Sequence, residues 1–360
     1  MATNVTLPRI RVAIIGATGY VGGELIRLLS AHPEVELVRL TGRDRTADPI
    51  GSVHPHLSTT PHVFDSDLDA AVDAVFLALP HGVAAERVPG LLDLGVSVID
   101  QGPDFRLADA VDYPRWYGFE HPHPELLSGA VYGLPELHRA ELETAGLARR
   151  AGKPALVGSP GCFPTATLLA LAPLARAGLI ADLVVDAKTG VSGAGREPRA
   201  EMGFAEVNES VRAYGMFNHR HTVEMEQELG ALAAGTGAET AVAGIDFLPH
   251  LIPMTRGIFA ACHVRPTRPV TQSELDTLYA AAYANEPFVT VMADPPATGH
   301  VLGSNHVRIH VRVNERTGRI LAIGVIDNLV KGAAGQGVQA FNIVFGLPET
   351  TGLEALPLAP

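Results

Sequence analysis

Ile10-Arg11-Val12-Ala13-Ile14-Ile15-Gly16-Ala17-Thr18-Gly19-Tyr20-Val21-Gly22-Gly23 holds the first regular pattern in the chain. A β-branched run of strand length ends in a glycine turn, and Leu25, Ile26, Leu28 and Leu29 then recur at helical spacing. Strand, glycine turn and helix in that order begin a Rossmann unit, whose helix N-terminus holds a pyrophosphate. Gly16 permits the tight turn, Gly19 lets backbone approach the phosphates, and Gly22 lets the helix pack close to the sheet. Ala17, Thr18, Tyr20 and Val21 complete this candidate cofactor-binding turn. The spacing is G-x-x-G-x-x-G, so its place in the first strand–helix unit, more than the glycines alone, selects nucleotide binding over an ordinary turn.

A second strand is expected at 35–40. NAD sites usually end this strand with an acid for the ribose 2′-hydroxyl. Here Leu40-Thr41-Gly42 runs into Arg43, whose planar fork suits a 2′-phosphate, so NADP is preferred over NAD. Strands at 73–79 and 96–100, with a helix at 83–94 between them, continue an α/β pattern. Ligands in such sheets lie beyond the carboxyl ends of the strands. Leu79-Pro80-His81-Gly82 and Asp104-Phe105-Arg106 should therefore border the cleft, with Arg106 as an anion clamp and Leu79 and Pro80 as cofactor contacts.

Ser159-Pro160-Gly161-Cys162-Phe163-Pro164-Thr165 leads into an apolar helical pattern reaching about residue 177. Cys162 thus starts a helix, where unpaired N–H groups and the dipole favour an anion. A thiol so placed is expected to lose its proton easily, its pKa falling to roughly 3.5–7.5 from about 8.5. Beyond it strands dominate, at 183–191, 241–252, 257–264, 288–292, 307–313 and 320–326, with helices at 271–284 and from His221. That pattern is α+β, with a mainly antiparallel sheet. A final helix, 332 to about 345, should pack back onto the first domain. Residues 231–238 read as a surface loop, and Cys262 as a core residue. Ser192-Gly193-Ala194-Gly195-Arg196 is flexible enough to approach a nicotinamide. His219-Arg220-His221 offers an acid/base beside the cysteine, since imidazole suits proton transfer near neutral pH and a Cys–His pair activates a thiol. His54-Pro55-His56, His121-Pro122-His123 and His219-Arg220-His221 raise zinc as a competitor. Without Cys-x-x-Cys or His-Glu-x-x-His spacing, no metal is expected.

The bulk numbers agree with a large globular enzyme. A chain of 360 residues, 47% hydrophobic, can bury two domain cores. A net charge of −12, with Lys153, Lys188 and Lys331 as the only lysines, argues against nucleic acid and anionic membranes as partners. Two cysteines suggest a reducing compartment without a disulfide framework. Neither a charged-then-apolar leader nor an apolar stretch near 20 residues is evident, so a cytoplasmic protein is expected.

From Arg11 onward the chain resembles the N-acetyl-γ-glutamyl-phosphate reductases, arginine-biosynthesis enzymes of the aspartate-semialdehyde dehydrogenase superfamily. The most specific segment is Val157 through Ala166, similar to the family's active-site signature. Supporting segments are Gly16 to Gly23, Val53-His54-Pro55-His56-Leu57, Leu79-Pro80-His81-Gly82, Asp104-Phe105-Arg106, Tyr132-Gly133-Leu134-Pro135-Glu136, Ser192 to Arg196, His219-Arg220-His221 and Asp327-Asn328-Leu329-Val330-Lys331-Gly332. The resemblance implies a Rossmann domain (1–160, joined by 332–360) and a glyceraldehyde-3-phosphate-dehydrogenase-like catalytic and dimerisation domain (161–331). It implies NADP, a homodimer or homotetramer, and reductive dephosphorylation of an acyl phosphate through a Cys162 thioester. It points to His221 as acid/base with His219 nearer the substrate, though residues alone do not separate their roles. Asn328, Leu329, Ser192 and Gly193 would line the nicotinamide end, while Arg106 and Arg256 would contact phosphate or carboxylate. Ser159 departs from residues common in the family and joins the substrate contacts only by its position. The competing readings are a carrier-linked aminoadipyl phosphate reductase of lysine biosynthesis and a non-catalytic NADP-binding sensor.

Overall fold

The computed structural model describes residues 8–42, 45–68, 71–234 and 244–358. Arg43 and part of the expected 231–238 loop lie outside them.

The first half alternates strand and helix: β1 (Ile10–Ile15), α1 (Tyr20–Ser30), β2 (Val35–Thr41), β3 (Ala74–Leu77), α2 (Val83–Asp93), β4 (Ser97–Asp100), α3 (Asp112–Tyr117), β5 (Ala130–Tyr132), α4 (Pro135–Arg150) and β6 (Leu156–Gly158). The strands form one six-stranded sheet in the order β2-β1-β3-β4-β6-β5, every pair parallel. Both faces of such a sheet are covered, so β3 and β4 are buried at every position. From β1 the chain moves outward to β2 and then returns to β3 on the other side of β1. The strand order therefore reverses between β1 and β3, which is where a doubly wound sheet opens a ligand crevice. Gly16 sits at that point with φ +90°, and a Cβ there would fall 2.2 Å from the Ala78 carbonyl oxygen, so only glycine closes the turn.

The second half contains α5 (Cys162–Arg176), β7 (Ile180–Thr189), α6 (Phe204–Val207), β8 (Arg212–Ala213), α7 (His221–Ala234), β9 (Asp246–Leu251), β10 (Ile258–Pro266), α8 (Gln272–Tyr283), β11 (Val289–Val291), β12 (Val307–Val313), β13 (Ile320–Ile326) and α9 (Gly335–Phe345). Its seven-stranded sheet runs β11-β12-β13-β10-β7-β9-β8. Four pairs are antiparallel, whereas β11 with β12 and β7 with β9 are parallel. The helix expected from His221 extends to Ala234, past the start of the expected loop at 231, because Leu229 and Ala233 stay on its buried face. The short strands β5, β6 and β8 escape sequence reading, since two or three residues show no periodicity.

Helix α5 is the centre of the second core. Every residue from Phe163 to Ala175 is buried, as an all-apolar helix requires. Pro173 cannot donate to the Leu169 carbonyl; the Tyr283 hydroxyl on α8 donates to it instead. Cys262, on β10, lies fully buried in the same core. Helix α9 returns to the first half and packs along α4, joined by a buried polar cluster. There the Lys331 ammonium donates to Glu136 Oε1 at 2.6 Å and to Gln339 Oε1 at 2.7 Å. The turn before α9, Val330–Ala334, is π-helical, a distortion that often marks a functional site.

Candidate active site

The two sheets meet at the turn Ser159–Gly161, between β6 and α5. Four hydrogen bonds fix it. The Ser159 N–H donates to the Asp100 carbonyl at 2.8 Å, and Arg106 Nε donates to the Ser159 carbonyl at 2.6 Å. Gln101 Nε2 donates to Ser159 Oγ at 3.0 Å. The Gly161 N–H donates at 2.7 Å to Glu224 Oε1, on α7. Glu224 also accepts from the Tyr132 hydroxyl at 2.7 Å and faces Arg106 Nη1 at 3.6 Å. Cys162 follows as the first residue of α5, capped by no side chain.

His221 begins α7 and lies flat against this turn. A Cβ on Gly161 would stand 2.5 Å from His221 Nε2, so glycine is what lets the imidazole approach the cysteine backbone. The His221 and His219 rings meet edge to face with centroids 4.7 Å apart, and both pack on Phe163. The His219 Nδ1 accepts from the His221 N–H at 3.1 Å, which orients one ring through the other's backbone.

Electrostatics here differ from the expected thiolate. Burial pushes the Cys162 thiol up to about 11 and outweighs the opposing pull of Arg106, the Phe163 N–H and Arg220. The helix start is present, but its field acts on a half-buried sulfur packed among side chains, where the charged form is disfavoured. Burial, with the neighbouring His219, Arg106 and Arg220, holds His221 well below the usual imidazole range. Burial and Arg220 bring His219 down to about 4. At neutral pH the pair is therefore a thiol beside a neutral base, not a preformed ion pair.

Two cavities converge on Cys162. One, of about 280 Å³, runs along the first sheet and is lined by Gly19–Gly22, Leu79, Arg106, Ser192, Gly193, Asn328 and Leu329, with Cys162, Arg220 and His221 at its end. The other, of about 660 Å³, also reaches Cys162 and is lined by Tyr214, Arg212 and Trp116. Cys162, Gly193, Arg220 and His221 belong to both.

The first cavity suits a dinucleotide. Gly19 caps α1 with no side-chain hydrogen bond, leaving its first-turn N–H groups for a phosphate. A Cβ at Gly19 would meet nothing nearer than 3.8 Å and would stand in the open cleft. Asn328 is held rigidly, its Oδ1 accepting from the Gly257 N–H at 2.7 Å and its Nδ2 donating to Ser192 Oγ at 3.0 Å. Buried Asp327 accepts from the Leu329 N–H at 2.8 Å and shapes the same loop. Pro80 itself is exposed and outside the cavity lining; its neighbours Leu79 and His81 line it. Ala17 and Thr18 stand behind the turn, the Ala17 carbonyl paired with His54 Nε2 at 2.9 Å.

Other expected contacts are placed differently. Arg256 lines neither cavity: it pairs with Glu24 at 3.0 Å and Asp327 at 3.5 Å, tying α1 to the Asn328 loop. Ser159 is buried and lines neither cavity, its hydroxyl accepting from Gln101 and its backbone held by Asp100 and Arg106. Arg106 borders the cleft but spends its Nε and Nη2 on the Ser159 and Gln101 carbonyls. The His-x-His pairs do not assemble: His121 Nε2 bonds the Asp104 carbonyl, and among the described residues no three His, Cys, Asp or Glu side chains cluster as metal ligands. Sequence reading passed over Glu224 and Arg220. The available signal was His221, Glu224 and Glu228 at i, i+3 and i+7, one face of α7 and all buried. Arg220 is exposed at the junction of the cavities, its Nη1 3.3 Å from His81 Nδ1.

Comparisons with known proteins agree with this architecture. Residues 11–145 match the NAD binding domain of semialdehyde dehydrogenase, and residues 162–328 its dimerisation domain. An N-acetyl-gamma-glutamyl-phosphate reductase from Heliobacterium modesticaldum is 47% identical over 98% of this chain and 100% of its own. One from Moorella thermoacetica is 44% identical over 98% and 100%. The chain belongs to the N-acetyl-gamma-glutamyl-phosphate reductase family. It is an oxidoreductase of the semialdehyde dehydrogenase kind. The fold matches aspartate semialdehyde dehydrogenase with NADP from Candida albicans, at a TM-score of 0.68, 17% identity and coverage of 93% of this chain and 98% of that one.

Alkylation of Cys162 tests the electrostatics. Thiolate fraction rises with pH, so a thiol displaced upward reacts slowly at neutrality. In the ligand-free protein, iodoacetamide modification of Cys162 followed by mass spectrometry should have an apparent pKa above the free-thiol value of about 8.5. A plateau already reached at pH 7 would contradict the neutral-pair description.

Proposed function

We propose that this chain reduces N-acetyl-γ-glutamyl phosphate to N-acetylglutamate semialdehyde with NADPH, a step of arginine biosynthesis, through a thioester on Cys162. The observation that carries this reading is the meeting of a helix-start cysteine and a buried neutral imidazole at the junction of a dinucleotide cleft and a second, cationic cavity. Residues 1–160 with 332–360 hold the cofactor; residues 161–331 carry the chemistry.

Cys162 Sγ attacks the acyl carbon while its proton passes to His221, which burial keeps neutral and able to accept it. The carbon–oxygen bond to phosphate breaks and inorganic phosphate leaves with that proton. Arg220, placed beside both cavities, offsets the phosphate charge, and Arg106 holds the turn that aims the sulfur. His219 orients His221 through the bond to its backbone N–H. Gly16, Gly19, Tyr20 and Val21 would receive the pyrophosphate, with Ser192, Gly193, Asn328 and Leu329 at the nicotinamide end. NADPH, when bound, supplies the hydride that brings the acyl group to the aldehyde level. The sulfur is then expelled as the semialdehyde forms and regains a proton from solvent through His221. Cofactor and substrate filling the two cavities that reach Cys162 would exclude water from the thioester.

Mixing the protein with acyl phosphate in the absence of NADPH, then quenching, should give an acyl adduct on Cys162 by mass spectrometry. Cys162→Ala should lose both adduct and phosphate-dependent NADPH formation from the semialdehyde, with kcat down by about 10⁴-fold or more. Turnover surviving in that variant would end the covalent account and favour other readings, the sensor among them. Full activity only on the carrier-linked aminoadipyl substrate would place the enzyme in lysine biosynthesis instead; the full-length relatives favour the arginine step.

The preference for NADP rests on Arg43 after the end of β2, with an acid, Asp44, only after the arginine. The ratio of kcat/KM for NADPH over NADH should exceed about 10 and fall in Arg43→Ala, as loss of a charged hydrogen bond predicts. Equal use of both cofactors would oppose it.

A homodimer is also inferred. Helices α5, α7 and α8 cover one face of the seven-stranded sheet, whereas Phe259 and Leu321 remain half-buried on the other, beside Ile323 and Val325. Sedimentation should give a dimer or larger assembly that Phe259→Glu/Leu321→Glu dissociates; a monomer in the unsubstituted protein would refute this.

A further inference from the structure

The second cavity has a charge opposite to that of the whole protein. The chain has 27 basic and 39 acidic residues, yet the wall contains three guanidiniums, Arg199, Arg212 and Arg220, against one carboxylate, Glu201. His219 and His221, also in the wall, are held uncharged. Among the described residues, neither Arg199 nor Arg212 has a carboxylate within ion-pair distance. Arg139, Arg256 and Arg268, by contrast, each have one. Two unpaired guanidiniums beside a third create a positive potential that a bound anion relieves.

Arg220, like Cys162, lines both cavities. Arg199 and Arg212 line only the second cavity, away from the cofactor. They are therefore placed for a part of the substrate other than the transferring group. Arg212 is positioned by backbone: β8 pairs it with Leu251 of β9, and the Tyr214 N–H donates to the Pro249 carbonyl at 3.1 Å. Arg199 precedes the short turn Ala200–Met202, whose Met202 also faces the cavity. Trp116, Met202 and Tyr214 add an apolar wall beside the charges.

We propose that Arg199 and Arg212 form a carboxylate subsite that recognises the α-carboxylate of the acyl substrate, while the apolar wall takes its N-acyl group. The inference rests on the acyl-phosphate reading above and adds specificity determinants to it. In an extended five-carbon acyl chain the α-carboxylate lies roughly 5 Å from the reacting carbonyl. A planar guanidinium binds carboxylate through two parallel hydrogen bonds, which fixes the chain's orientation as well as its affinity. Substrates lacking that group would then enter the cavity without a fixed pose and react slowly.

The test runs the enzyme in the oxidising direction with NADP, inorganic phosphate and two aldehydes. These are N-acetylglutamate semialdehyde and 4-acetamidobutanal, which is the same molecule without the carboxylate. For Arg199→Gln/Arg212→Gln, kcat/KM on the carboxylated aldehyde should fall about 100-fold, chiefly through KM. On 4-acetamidobutanal it should change by less than about threefold, so the preference of the unsubstituted enzyme collapses. Equal losses on both aldehydes, or no loss on either, would overturn the subsite. Arg199→Lys/Arg212→Lys should recover part of the preference, because charge without the fork remains. Should the unsubstituted protein oxidise neither aldehyde, the reaction assigned above fails, and calorimetry with N-acetyl-L-glutamate still decides the subsite. Binding that weakens at least tenfold in the glutamine variant supports it; absence of binding, or binding unchanged by the substitutions, rejects it.

Discussion

The structure depends on one buried carboxylate. Glu224 reaches from α7 to the Gly161 N–H, the Tyr132 hydroxyl and the Arg106 guanidinium, so it joins the catalytic helix pair to the end of the parallel sheet. A carboxylate this deep is costly to ionise, and burial pushes its pKa upward against the influence of Arg106 and the two donors. What it provides is placement. The Gly161 N–H is one of the groups a helix start leaves unpaired, and Glu224 fixes it without occupying the space where Cys162 must react. Removing one member of such a buried set leaves the other charge unpaired, which costs about 3–5 kcal/mol. The same acid therefore stabilises the domain junction and fixes the approach of the sulfur.

That geometry explains why the cysteine need not be ionised at rest. A free-standing thiolate in this site would face burial on most sides, and the two nearby arginines do not offset it. A neutral thiol beside a neutral imidazole leaves both side chains uncharged at rest and the sulfur resistant to alkylation and oxidation. In the proposed mechanism the proton moves when an acyl phosphate brings negative charge to Arg220 and an electrophile to the sulfur, which couples reactivity to substrate occupancy. Burial and the same two arginines also bring His81 down to about 4.

Elements with strong periodicity were legible in the sequence. Strands β1, β12 and β13 match their expected residues, and the Cys162 helix begins where its turn chemistry placed it. The glycine turn was legible because Gly16 answers to a backbone constraint that no other residue meets. The thiol's ionisation was not, since a helix start is local but burial is set by α7 and the turn at Gly332, remote in sequence. Arg256 was misplaced for the same reason: its loop sits close to the site, yet Glu24 on α1 and Asp327 turn its side chain away. Arg106 was read as a clamp, but its Nε and Nη2 are taken by the turn it supports. Glu224 belongs to no motif, although its spacing from His221 and Glu228 marks the inward face of α7.

The C-terminal helix raises a related question of why a lysine should be buried among the small residues of Val330–Ala334. Lys331 is fully enclosed and pairs with Glu136 on α4, while Gln339 bonds both and reaches Glu349 at 2.9 Å. An apolar residue of similar volume could fill the space at no greater cost, so stability alone is a weak reason for the pair. Position is a better one. The π-helical turn sets Gly332 against Cys162, where a Cβ would come within 2.8 Å of the cysteine Cβ, and Leu329 and Ala333 along the nicotinamide end of the cleft. A slide of this turn by one residue would bury the wrong side chain against α4, and the lysine's single partner set forbids it. The polar pair thus fixes the register of the segment that closes the cofactor cleft, as Glu224 fixes the segment that presents the sulfur. Both catalytic walls are held by buried charge, and each is anchored on the opposite side of the domain junction.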